Sequence, residues 1–201
     1  LRSKTLFHTL ALVLLLPALA LAAPAVYKVD SDHSGVGFSI RHFVSNIPGR
    51  FKDFDGVIKY DAQNPAASSV SFTIQAASID TDNSDRDNHL KSPDFFDVAK
   101  FPTLTFSSTS VKAVDANTLE VTGDMTIKGV TKKVTVPVDI LGTVKGPRGE
   151  KAGFETTFTL DRKEYGITWN RALDTGGAIL GDDVKISISV ESDRQPDQPA
   201  K

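Results

Sequence analysis

The sequence contains no cysteine. That excludes disulfide staples, thiolate metal centres and thiol chemistry, and it also excludes a lipid-anchored lipoprotein, which needs a cysteine at its cleavage site. Charge of one sign is equally scarce. Lys and Arg number 23 against 25 Asp and Glu, and the two signs are interspersed, so neither nucleic acid nor an anionic bilayer surface is the main partner. Long apolar runs are confined to Leu6–Leu21. Its basic start at Arg2 and Lys4 and the small-x-small pattern Ala20-Leu21-Ala22 read as a secretory signal peptide over residues 1–22. The run is short for a membrane span, carries His8 and Pro17 and lacks a basic flank after it, so no permanent membrane anchor is expected.

Cleavage leaves about 179 residues, which is one domain by size, large enough to bury a core without covalent help. The 23 bases, less Arg2 and Lys4, leave 21 against 25 acids, a net charge of −4. The expected product is exported and periplasmic. Residues 193–201, with two prolines and no large apolar side chain, are expected to be a disordered tail after a domain spanning 23–192.

What fills that domain is apolar/polar alternation. Val36, Phe38, Ile40 and His42 share one face of a strand; Val70, Phe72, Ile74 and Ala76 share another. Leu104 and Phe106 follow Pro102, then Leu119 and Val121, Val134 to Ile140, Phe154, Phe158 and Leu160, and finally Val184, Ile186, Ile188 and Val190. Asn64-Pro65, Gly146-Pro147 and Gly176-Gly177 mark turns, and Ile127-Lys128-Gly129-Val130 reads as a tight hairpin tip. Short connections favour antiparallel neighbours, and closure removes two exposed edges. The fold class is therefore all-β: an extended antiparallel barrel of about eight strands, with a short helix near residues 84–92 and a long Gly-rich loop over 165–183. A barrel of this size either fills with side chains or holds one small ligand. Period alone does not separate the two.

Catalytic templates fail in turn. There is no G-x-S-x-G elbow, P-loop or H-E-x-x-H pair. Asp80 to Ser84 opens like a calcium loop, but Asp85 and Lys91 stand where its glycine and closing glutamate belong. His33, His42 and His89 show no ligand spacing, so no metal is expected. His33 and His89 read as hydrogen-bonded structural groups. His42, on the Phe38/Ile40 face, is either a rim histidine or the contact for a ligand's polar end. Arg86, Asp87 and His89 make a poor catalytic group because i and i+2 diverge on a helix. Asp85 and Asp87 suit a helix start, and Leu90, Phe95 and Phe96 an apolar plug.

Several ordered motifs resemble the YceI-like polyisoprenoid-binding family. They are Tyr27-x-Val29-Asp30-x-x-His33-Ser34, Phe38-x-Ile40-x-His42, Gly49-Arg50-Phe51-x-x-Phe54-x-Gly56, and Arg86-Asp87-x-His89-Leu90 with Phe95-Phe96-Asp97. Phe101-Pro102, Phe106-Ser107, Gly123 to Thr131 and Arg162-x-x-Tyr165-Gly166-Ile167 follow in order, covering Val26 to Glu191. The resemblance implies a lipocalin-like barrel with an interior tunnel for a long isoprenoid lipid or isoprenoid quinone, no catalytic residues to carry over, no resident cofactor, and a homodimer in some members. Parity, rather than the resemblance, nominates the ligand-binding wall: Val36, Phe38, Ile40, His42, Phe51, Phe54, Phe72, Ile74, Leu104, Phe106, Phe158, Ile186 and Ile188. Tyr165, Ile167 and Trp169 either gate an opening or pack the scaffold. An enzyme or redox partner acting on a quinone head group, and a dry-cored interaction protein, stay as alternatives.

Overall fold

The structure is a computed structural model that describes residues 23–172 and 178–196. The signal-peptide expectation for 1–22 and the glycine pair at 176–177 lie outside the described residues. Among the described residues, eleven strands form one antiparallel sheet. They are β1 Ala25–Val29, β2 Gly35–His42, β3 Ser45–Phe51, β4 Phe54–Tyr60, β5 Ser69–Gln75 and β6 Ile79–Asp80, then β7 Thr103–Ala113, β8 Thr118–Ile127, β9 Val130–Gly146, β10 Gly149–Asp161 and β11 Leu180–Arg194. Among the described residues a single α-helix, α1 (Ser84–Lys91), falls where the sequence placed it.

Eight of these strands close a barrel in the order β1-β4-β5-β7-β8-β9-β10-β11, with β11 returning to β1. The closing contact uses only the end of β11, where Ser192, Asp193 and Arg194 pair with Val29, Lys28 and Tyr27. The earlier part of β11, from Leu180 to Ser189, pairs instead with β2, and β3 and β6 continue outward from there. One long strand thus serves two partners on the same edge. The barrel is closed at one end and opens at the other into a three-stranded flap.

Local chemistry explains the register. At the β8–β9 tip Lys128 and Gly129 both have positive φ, 48° and 75°, as a two-residue hairpin turn requires. In β7 a register shift between Ser108 and Ser110 moves the inward parity from Leu104 and Phe106 to Val111, so the strand stays apolar inside along its whole length. Helix α1 is capped by Asn83, whose side chain accepts from the Arg86 amide, with Asp85 and Asp87 in its first turn.

Strand β3 carries Pro48 and Gly49 in mid-strand. The proline is tolerated because β3 is bonded along its length only to β2, with just Arg50 and Phe51 paired to β6, so its missing donor faces an open edge. Two expectations need correction. Asp193 and Arg194, expected in the tail, are paired strand residues, and the Gln195 amide donates to the Val26 carbonyl at 2.7 Å; the rest of that expectation, 197–201, lies outside the described residues. The loop after Tyr165 ends at Leu180, where β11 begins, rather than at 183.

Candidate functional site: two adjoining compartments inside the barrel

The inward faces enclose two adjoining compartments that share Phe38, Phe51, Leu104 and Ile186 in their walls. The barrel compartment, about 180 Å³, is lined chiefly by apolar side chains: Val36, Phe72, Ile74, Phe106, Phe158 and Ile188 towards the middle, and Val111, Leu119, Val121, Val136 and Val138 beyond them. The helix-side compartment, about 440 Å³, lies among the flap, α1 and the segment after β10. Its wall adds Ile40, Ile47, Leu90, Phe95, Phe96 and Ile167, but also His42, Thr81, Asp85, Arg86, His89, Arg162 and Tyr165. Polar residues border the barrel compartment too, among them Lys59, Ser68, Thr105 and Glu155.

Of the thirteen wall residues proposed from parity, the structure places all but Phe54 on one compartment or both. Phe54 is core. Its ring stacks on Phe72 at 5.8 Å, and Phe72 leans across Gly56, where a Cβ would meet the ring at 2.6 Å. Parity places Phe54 on the inner face correctly, but Phe72 fills the space in front of it. Similar ring-over-glycine packing sets the tunnel's width elsewhere. Phe38 covers its cross-strand partner Gly49, and Phe106 covers Gly123.

The helix-side wall is held by Arg162, which sequence reading quoted as part of a motif but gave no task. It is 5% exposed and donates through Nε to the Gly181 carbonyl and through Nη1 to the carbonyls of Ile167 and Trp169. Nη2 lies 3.5 Å from Asp182 Oδ1. Burial lowers its pKa, with Asp182 opposing that shift. Asn170 adds a second clamp, accepting from the Leu180 amide and donating to the Leu180 carbonyl. Segment 165–169 is thus tied to Arg162 through the carbonyls of Ile167 and Trp169.

The candidate polar residues are mostly engaged. His89 Nε2 pairs with Asp94 at 2.9 Å, and its ring meets Phe95 and Trp169 edge-on. Arg86 donates through Nε and Nη2 to Thr81, and Asp87 accepts from the Thr81 amide and hydroxyl. These are positioning bonds that fasten α1 to the flap. His33 Nδ1 bonds Asp30 at 2.8 Å. Asp30, His33 and Glu191 could bring three ligand atoms together, but the Lys151 ammonium already sits 3.2 Å from Asp30, 2.8 Å from Glu191 and 2.9 Å from Asp193. A fixed cation occupies the charge a metal would need. At the calcium-like segment, Arg50 and Lys52 pair with Asp80 and serve the same purpose.

A closed antiparallel barrel with a chiefly apolar interior is the architecture of a protein that encloses a hydrophobic ligand. The model of the YceI-like domain family matches residues 27–192, and the chain belongs to that family. Protein YceI of Escherichia coli is 43% identical over 178 residues, covering 87% of this chain and 90% of that protein. Among solved structures, Burkholderia cenocepacia BcnA superposes with a TM-score of 0.73 at 28% identity, over 81% of this chain and 98% of that one. A polyisoprenoid binding domain from Saccharophagus degradans, implicated in plant cell wall breakdown, gives a TM-score of 0.64 at 14% identity, over 86% and 99%. At that identity the likeness is one of fold.

Proposed function

We propose that the protein is an exported, non-enzymatic binding or carrier protein for a long-chain polyisoprenoid lipid or isoprenoid quinone, held along the barrel axis. One observation carries this reading: two adjoining compartments inside the barrel whose walls are chiefly apolar. Burying an isoprenoid chain there returns about 25 cal/mol per Å² of apolar surface, and such a ligand needs length of contact more than polar anchors. The shared fold with the Saccharophagus polyisoprenoid binding domain supports the same ligand class.

The enzyme alternative draws less support. Its candidate groups, Arg86, Asp87 and His89, already bond to Thr81 and Asp94. Export rests on the N-terminal apolar run, and cell fractionation with N-terminal sequencing of the product tests it. The family resemblance also supports a homodimer, which sedimentation of the purified protein tests. The deciding experiment is organic extraction of the purified protein and mass spectrometry of the extract. An isoprenoid lipid is the expected result. Repeated absence of lipid, with no displacement of a bound fluorescent apolar probe by isoprenoids, would sink the reading.

A further inference from the structure

The β2–β3 hairpin turns on two residues, Phe43 and Val44, because His42 pairs with Ser45 across it. Both residues break a local rule. A two-residue turn asks for positive φ, which Gly, Asn and Asp adopt readily. Here Phe43 takes it, at φ 51°, and for a bulky side chain that is strained backbone. Val44 is 101% exposed and Phe43 43% exposed, so the turn presents apolar side chains to solvent. The β8–β9 tip makes a two-residue turn with Lys128 and Gly129 instead. Strain spent on exposing apolar surface calls for a contact outside the molecule.

The tip is held in place by its neighbours. The Phe43 amide donates to the Ile179 carbonyl at 2.9 Å, Arg41 Nη1 donates to the Phe43 carbonyl at 3.2 Å, and the Ser45 hydroxyl donates to the His42 carbonyl at 3.3 Å. The Phe43 ring meets His42 edge-on at 4.6 Å. This is the rim of the helix-side compartment, whose wall includes His42, Ile47 and Leu180. Arg41 and Arg171 are exposed beside the tip, and the Ile179 amide donates to the Arg171 carbonyl. Asp182, which faces Arg41, already accepts from Lys163 at 2.8 Å.

Area decides the kind of partner. A specific protein interface buries on the order of 800 Å² on each side, and two side chains offer a small part of that. A bilayer sets no such minimum. Each apolar side chain gains by leaving water singly, and a few of them give weak, reversible attachment at the headgroup boundary.

We propose that the Phe43–Val44 tip is a bilayer-contact point that dips into the headgroup boundary of a phospholipid leaflet, with Arg41 and Arg171 at the depth of the phosphates. The contact is apolar and transient, so it requires neither a large basic patch nor an anchor. Its purpose rests on the lipid-binding reading above: the rim of the helix-side compartment is set against the membrane, and a lipid passes between the two without crossing water.

The absence of cysteine gives a direct test, because Val44→Cys creates a single labelling site. An environment-sensitive nitrobenzoxadiazole label at position 44 should brighten and shift to the blue when phosphatidylcholine vesicles are added. The same label introduced through Val144→Cys should not respond. Val144 is also exposed, but it neighbours the Asp193 end of β11 while His42 neighbours the Leu180 end, roughly 40 Å away at about 3.3 Å per residue. The double variant Phe43→Asn, Val44→Ser should partition onto these vesicles about 10-fold more weakly. Its Tm should hold, because Asn accepts positive φ. Transfer of a fluorescent polyprenol from vesicles to the variant should slow by a similar factor, while farnesol presented in solution displaces a bound apolar probe equally from both proteins.

An unresponsive label at position 44 would overturn the proposal, as would equal responses at 44 and 144 or a double variant that partitions like wild type. So would vesicle binding seen only with phosphatidylglycerol and abolished by salt, or a loss of binding that comes with a clear fall in Tm. Failure of farnesol to displace the probe from wild type would instead overturn the lipid-binding reading and leave the vesicle result standing.

Discussion

Arg162 holds Trp169 by its backbone: Nη1 donates to the Trp169 carbonyl at 2.8 Å, and the same nitrogen donates to Ile167, also at 2.8 Å. With Nε on Gly181, one guanidinium ties together the two chain segments that flank residues 173–177. Removing it strands buried carbonyls. Arg162→Met is expected to destabilise the fold by roughly 3 kcal/mol, and Arg162→Lys to recover only part of that, because an ammonium lacks the planar fork. Urea midpoints of the two variants check this. Full recovery by lysine would show that charge alone matters at this position.

Gly49 makes room for Phe38. A Cβ on residue 49 would meet the Phe38 ring at 2.2 Å, and the blocking atom is the far end of a side chain rather than backbone. The ring can move, but the strand beneath it excludes one direction, so it swings into the tunnel where the two compartments adjoin. Gly49→Ala should therefore lower isoprenoid affinity about 10-fold while costing little stability. Gly123→Ala is the contrast. There the Cβ meets the Ser107 carbonyl at 2.5 Å as well as the Phe106 ring, and rigid backbone makes the cost one of stability, about 1–3 kcal/mol. Probe displacement and thermal melts on both variants separate the two effects.

Much of the inner wall was legible because side-chain parity is strict in a strand. Val36 to His42 and Val184 to Val190 could be assigned to one face from period alone. What parity does not carry is depth. Phe54 points inward as read, yet Phe72 stacks in front of it. Nor does period mark strands bonded mainly through one edge. Pro48-Gly49 in β3 looks like a turn, and only the pairing with β2 shows otherwise. The polar residues Asp193 and Arg194 looked like a tail because their strand role rests on backbone pairing rather than apolar faces. Arg162 was invisible in kind: a buried arginine that serves carbonyls has no spacing signature, since its partners are backbone atoms.

The far end of the barrel compartment sets how long a chain can be held. Val138 lines it, only partly buried, beside Val121 and Val136. Val138→Phe places a ring in that end, where the existing space accepts added volume with less strain than a filled core would. Longer isoprenoids should lose affinity while short ones keep it, so a plot of affinity against chain length should break at a shorter chain in the variant. A uniform loss for every length would mean that the tail does not reach Val138.

Stability should follow pH through His33 and Asp30. Asp30 accepts from His33 at 2.8 Å, and its carboxyl is pulled down to about 2, chiefly by that bond, with Lys151 adding to it. The same bond raises the His33 pKa above its ordinary 6.5. A group raised on folding stabilises fully below its ordinary value and loses that contribution as pH climbs through the folded value. A depressed carboxyl stabilises above its ordinary value of 3.8 and loses that as pH falls towards about 2. Both contributions are present at roughly pH 5 to 6. His33→Gln should thus lower Tm most in that window, and the gap to wild type should close as pH rises through the raised His33 value. A gap that stays constant from about pH 5 to pH 9 would show that the imidazolium contributes nothing through this pair and that His33 acts by shape alone.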